Sequence, residues 1–163
     1  MSRRHDARIR EFRISDLIPL QQLIHQTIEA CYSGCYPPRA VRFFKEFHSE
    51  ENIRQRHRTG EMLVVEQDGN LIATGTIVGS DIFGVFVDPG LQYQGLGKAL
   101  MCELENRAQA RGCKELELSV SLPSKRFYEK LGYEMVEKRS LDVGEGQTLD
   151  YWMARKPLKV QKH

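Results

Sequence analysis

The chain has 163 residues, with 24 Lys plus Arg against 22 Asp plus Glu and a formal net charge of +2. That length suits one domain able to bury a core without disulfide or metal staples. The near balance of charge supplies no general attraction for nucleic acid or for a membrane surface, so neither is expected as a partner and function has to reside in a site.

Cys31, Cys35, Cys102 and Cys113 follow no metal-finger or redox spacing and read as small buried hydrophobes in a reducing compartment, with no metal expected. The opening MSRRHDARIR lacks the apolar core of a secretory signal, and no apolar run approaches membrane-spanning length. A cytoplasmic location is the expectation.

Residues 7–14 read as a short strand that ends at Ser15 and Asp16, both good helix N-caps. Leu17, Leu20, Leu23, Ile24 and Ile28 then recur at helical spacing, with Pro19 tolerated in the first turn. Residues 31–38 form an aromatic-rich, turn-forming linker. Pro38 suits the first turn of a second helix that turns Val41, Phe44 and either Phe47 or His48 inward. Ser49 caps a third helix, with Glu50 and Glu51 in its first turn and Gly60 closing it. His25, His48 and His57 have no evident partner and read as surface or core-edge histidines.

Two strand-like runs, 61–66 and 71–78, flank Gln67, Asp68, Gly69 and Asn70, a hairpin signal. After a turn at Gly79 and Ser80 comes an apolar run, 82–87, in which Gly84 marks a bulge or a close approach of another backbone. The run breaks at Pro89 and Gly90. Gly95, Leu96 and Gly97 then lead into Leu96, Ala99, Leu100, Leu104 and Ala108 at helical spacing. Such a strand, glycine loop and helix offer the unpartnered N–H groups of a helix start to an anion, although two glycines serve close packing equally well. A dinucleotide-binding fold would space its glycines differently. Residues 114–120 alternate as a strand, and residues 121–124 open a helix through Phe127, Tyr128 and Leu131 that stops at Gly132. Residues 133–141 and 147–154 pair as a last hairpin, with Leu149, Tyr151 and Met153 on one face, and the basic tail from Lys156 onward is expected to fray.

The loop Gln92, Tyr93, Gln94, Gly95, Leu96, Gly97 resembles the Q/R-x-x-G-x-G/A signature of the GNAT superfamily of acetyl-CoA-dependent acyltransferases. V-x-V-x-P before it and K-A-L after it strengthen the likeness. Residues 124–133, SKRFYEKLGY, resemble the second hallmark of the family, A-x-x-F/L-Y-x-K-x-G-F/Y.

The resemblance implies an α/β (α+β) GNAT fold: a mixed, mostly antiparallel central sheet of about seven strands flanked by helices and splayed at the fourth and fifth strands. One domain would cover 1–163, with its core over about 7–156. The implied activity is N-acetyl transfer from acetyl-CoA, the cosubstrate, directly to a primary amine of a small molecule or peptide. Tyr128 matches the family's general acid to the CoA thiolate. The resemblance implies that backbone N–H groups from Tyr93 to Lys98, in the loop that holds Gln92, Gln94, Gly95, Leu96 and Gly97, take the CoA diphosphate. Val85, Phe86 and Val87 would run along the pantetheine arm. Ser121 stands where an asparagine that contacts CoA is common, and Ser124 joins it as a cofactor-binding residue. Tyr32 and Tyr36 fall in the segment that walls the acceptor pocket.

The base stays open between Glu29, His25, Asp81 and a water chain, because the fourth strand carries no carboxylate or imidazole. A non-catalytic acyl-CoA-binding module of the same fold is the alternative, and a homodimer is open.

Overall fold

Apolar residues on alternate positions of the strands supply two cores, one on each face of a single sheet. The computed structural model describes residues 7–159. Its strands are β1 (Arg8–Glu11), β2 (Glu61–Gln67), β3 (Asn70–Val78), β4 (Asp81–Val87), β5 (Glu115–Ser121), β6 (Glu134–Gly144) and β7 (Gln147–Pro157). They lie in the order β1-β2-β3-β4-β5-β7-β6. The helices are α1 (Leu17–Tyr32), α2 (Pro38–Phe47), α3 (Glu50–Thr59), α4 (Leu96–Ala110) and α5 (Lys125–Lys130). Leu100, Met101 and Leu104 of α4 bury themselves on one face against Leu63, Ile77 and Leu116. Leu20, Ile24 and Ile28 of α1 cover the other with Ile53, Val64 and Phe86. Each such aliphatic side chain contributes about 1.5–3 kcal/mol by leaving water.

All neighbouring strands are antiparallel except β4 and β5, which are parallel and pair only at Asp81 with Glu117 and Ile82 with Leu118. Beyond Ile82 they part. The cause lies in β4, where the register against β3 passes from Thr76 opposite Phe83 to Thr74 opposite Phe86. Gly84 and Val85 therefore share the single place opposite Gly75, and Gly84 has φ +57, a left-handed conformation that a side chain would strain. A bulge bends and twists its strand, which here turns β4 away from β5 and leaves a wedge in the middle of the sheet.

Several local expectations change. Asp16 is the last residue of a short 3₁₀ turn (Ile14–Asp16) and not the side-chain cap of α1. Its carboxylate accepts from the Arg13 amide at 2.8 Å and from the Arg10 guanidinium at 2.8 and 3.0 Å. Helix α1 runs on to Tyr32, so Cys31 and Tyr32 are helical and the linker is shorter than its composition suggests. The cysteines are not fully buried hydrophobes: Cys35 and Cys102 are exposed, while Cys31 and Cys113 are half-buried at the edges of the two cores. Nor does the chain fray at Lys156. Strand β7 extends to Pro157, the Lys156 ammonium sits 2.9 Å from both Glu105 oxygens, and the Leu158 amide donates to the Lys114 carbonyl. The rest of the basic tail, 160–163, and the start, 1–6, lie outside the described residues. No described helix is long and apolar enough to cross a membrane.

Candidate active site

The wedge between β4 and β5 is a cavity of about 240 Å³. Strand β4 supplies Phe83, Gly84, Val85 and Phe86 to its wall, and β5 and the turn after it supply Leu118, Ser121 and Ser124. Tyr128 closes it from α5. The ring of Tyr128 is 6% exposed and wedged edge-on between Phe127 and Tyr133, with centroids 4.9 and 5.8 Å away. Helix α5 ends two residues after it, where the Tyr133 amide returns to the Tyr128 carbonyl and the Gly132 amide to Glu129, so the backbone that carries Tyr128 is pinned. Burial raises the pKa of its phenol, and neighbouring Tyr32 adds to the effect. No described residue hydrogen-bonds the hydroxyl. It is a protonated donor with its proton uncommitted.

Ser121 and Ser124 hydroxyls are 2.8 Å apart. Tyr32, at the end of α1, lines the same wall; burial pushes its phenol pKa up, and the Ser121 and Ser124 hydroxyls work against that shift.

The glycine loop lies at the end of β4. Asp88 accepts from the Gly90 amide at 2.8 Å and starts a short turn, Pro89–Leu91. The Gln92 side-chain amide donates to the Val87 carbonyl at 3.1 Å and reaches Cys31 Sγ at 3.4 Å, so it braces the loop against the strand. Tyr93 has φ +65 and is fully exposed, Gln94 is exposed, and Gly95 has φ +85 with open space where a Cβ would stand. The first helical bond of α4 is from the Ala99 amide to Gly95, which leaves the amides of Gly95, Leu96, Gly97 and Lys98 without intrahelical acceptors. An open-faced run of amides at a helix start fits a diphosphate. Gly97 serves a second purpose, because a Cβ there would meet Phe127 Cζ at 2.9 Å. Its missing side chain lets the start of α4 touch α5. Val85 and Phe86 line the cavity, whereas Val87 packs toward α4.

The model of the GNAT acetyltransferase domain matches residues 30–144. The chain belongs to the GNAT acetyltransferase family. It is thus an acyltransferase of a family that uses acetyl-CoA. It is 42% identical over 55 residues to the glucosamine 6-phosphate N-acetyltransferase of Trypanosoma brucei brucei, a stretch that is 34% of this chain and only 37% of that protein. A GCN5-related N-acetyltransferase from Rhodopseudomonas palustris superposes with a TM-score of 0.86 at 19% identity, over 97% of this chain and 99% of that one. The PaiA N-acetyltransferase of Thermoplasma acidophilum, solved with coenzyme A, does so at 0.73 and 21% identity, over 93% and 99%. At such identities the structural likeness speaks for the fold.

Within this GNAT domain, reading the sequence alone misses His48. It follows α2, is 4% exposed, lines the cavity and stands edge-on to Phe86 at 5.1 Å. Its Nδ1 is 2.9 Å from Arg56 Nη1. Guanidinium has only donors, so Nδ1 accepts and the imidazole proton is on Nε2. Burial first, then the charge of Arg56, holds the His48 pKa well below the ordinary 6.5. Burial also brings Arg56 down to about 10. The one local clue was Ser49: a cap there starts a helix whose second turn brings Arg56 back over His48.

None of the three side chains considered as base lines the cavity. Glu29 is exposed and paired with Lys45 at 2.7 Å, His25 Nε2 is taken by the His48 carbonyl at 3.0 Å, and Asp81 sits at the paired end of β4 opposite Glu117. Tyr36 is also absent from the cavity wall, although it was expected beside Tyr32. Its hydroxyl accepts from the Leu122 amide at 2.8 Å and donates to the Asp150 carbonyl at 2.7 Å, because the turn after α1 points it at the β5–α5 corner and β7. Among the described residues no group of three or more His, Cys, Asp or Glu is placed to hold a metal ion.

Proposed function

We propose that this GNAT enzyme transfers an acetyl group from acetyl-CoA directly to a primary amine, with Tyr128 as the acid that protonates the departing sulfur. Bound acetyl-CoA supplies an activated thioester carbonyl. The free amides of Gly95, Leu96, Gly97 and Lys98, with that of Tyr93, hold its diphosphate at the start of α4. The opened edge of β4 at Val85, Phe86 and Val87, with Ser121 and Ser124 across the wedge, guides the arm inward. A backbone N–H at the Val85 bulge stabilises the negative charge that builds on the carbonyl oxygen. As the nitrogen bonds to the acyl carbon and the carbon–sulfur bond breaks, Tyr128 gives its proton to the sulfur. The proton shed by the nitrogen returns through water to the phenol, which restores the enzyme.

The observation that carries this reading is the Tyr128 hydroxyl, protonated and without a partner where β4 and β5 part. Direct transfer is favoured over a covalent acyl-enzyme. The Ser121 and Ser124 hydroxyls bond each other, Cys31 takes Gln92, and the lone pair of His48 is held by Arg56, so none of these candidate nucleophiles has a base. Substituting Tyr128→Phe tests the assignment: kcat should fall by roughly 10²–10⁴-fold while coenzyme A still binds. Unchanged turnover with a good amine acceptor would remove Tyr128 from the role.

A further inference from the structure

Resting on the transfer reading, we infer that the acceptor is a monoamine with an apolar, single-ring-sized body, and that sugar phosphates and polyamines are not its substrates. The acceptor side of the wedge is the side covered by α1 and α2, since Phe86 packs there while Val85 and Val87 pack toward α4. On that side the cavity is walled by Phe43, Phe44, Phe47, Phe83 and Phe86, and the β6–β7 hairpin closes it with Leu149. Phe43 and Phe47 are stacked, with planes 17° apart. These rings offer apolar area and π-faces to a flat or branched hydrocarbon body.

Charge decides what is refused. Among the described residues no Asp, Glu, Lys or Arg lines the cavity. A sugar phosphate brought inside would lose its hydration with no cation or guanidinium fork in the lining to replace it. The partial likeness to a glucosamine 6-phosphate N-acetyltransferase therefore does not extend to the chemistry of this wall. A polyamine meets the opposite difficulty. The lining offers no described carboxylate to a second ammonium, and Arg56 lies behind the wall with its guanidinium 4.8 Å from the Phe47 ring and 5.8 Å from Phe83. Size sets the remaining limit: about 240 Å³ is below the roughly 300–1,000 Å³ of ordinary ligand pockets, and the thioester end must share it.

The test is calorimetric titration of 2-phenylethylamine, glucosamine 6-phosphate and spermidine into the full chain, with and without saturating coenzyme A. The expected result is that 2-phenylethylamine binds at least tenfold more tightly than either competitor, and that Phe43→Ala weakens it about tenfold without changing the affinity for coenzyme A. Glucosamine 6-phosphate or spermidine binding as tightly, or no heat from 2-phenylethylamine in either state, overturns the inference. Tight binding of the aromatic amine without thiol release from acetyl-CoA upholds it and instead sinks the transfer reading.

Discussion

Arg56 Nη1 lies 2.9 Å from His48 Nδ1, and this contact leaves the imidazole no free lone pair with which to take a proton. With Nδ1 committed and a proton on Nε2, His48 donates and does not accept. The apolar wall meanwhile disfavours the ammonium form of whatever amine enters, as burial does for lysine. The acid limb of kcat/KM should therefore belong to the acceptor. Measured with two amines whose pKa values differ by about two units, the limb should move by about the same two units. A limb that stays in place for both amines would assign the base to a protein group.

Removing the guanidinium should change His48 in a known direction. Arg56 holds the imidazole pKa down, so Arg56→Leu raises it, while burial keeps it from exceeding the ordinary value of about 6.5. An NMR titration of the His48 ring should show a higher midpoint in the variant than in the parent, and still one below the ordinary histidine value. Equal midpoints in the two proteins would mean that the pair does not form in solution.

Gly84→Ala addresses the opening of the sheet. The new Cβ would sit at φ +57 and 3.3 Å from His48 Cε1. Left-handed strain in a side-chain residue costs about 1–3 kcal/mol. In a chain of this size that lowers Tm by about 2–4 °C per kcal/mol. Relief of the strain flattens the bulge and narrows the gap to β5, so KM for acetyl-CoA should rise as well. A variant with parental Tm and KM would show that the bulge does not depend on glycine.

Much of the fold could be read in advance because its signals are local. Leu116, Leu118 and Val120 alternate within β5, Ser49 accepts from Asn52 as a cap, and Gly84 interrupts an apolar strand where the bulge stands. Both loop motifs could be found for the same reason, since each is one contiguous turn and helix start. What escaped is tertiary. Nothing within a few residues of Tyr36 announces Leu122 and Asp150, and near His48 only the Ser49 cap hints at a guanidinium eight positions on. Asp16 misled for the opposite reason: its position is an ordinary cap site, but Arg10 and the Arg13 amide claim the carboxylate first.

That claim has a consequence for acid stability. The Arg10 guanidinium, with help from the Arg13 amide, holds the Asp16 carboxyl below the usual carboxylate range. An unfolded Asp titrates at about 3.9, so the folded protein gains stability above that pH and loses it as pH falls through the depressed native value. Asp16→Asn should cost about 1.5–3 kcal/mol at pH 7, and the gap to the parent in urea midpoint should start to narrow near about pH 4 and close as pH falls through the depressed native value. A gap that is constant from pH 7 to pH 2 would show that the carboxylate charge contributes nothing.

Tyr36→Phe separates a structural tyrosine from a substrate contact. The phenol bridges the first residue after β5 and the middle of β7, and its removal strands the Leu122 amide and the Asp150 carbonyl in a partly buried setting. Each stranded group costs about 1–3 kcal/mol, less whatever water recovers. Tm should therefore drop by several degrees. The corner being loosened is the one from which Ser121, Ser124 and then Tyr128 are presented, so kcat should fall modestly. KM for the amine should hold, because the ring does not line the cavity. Tyr32, which does line it, gives the contrast: truncation to Leu at that position should raise KM for the amine. A Tyr36→Phe enzyme with unchanged Tm and a raised amine KM would return Tyr36 to the acceptor wall.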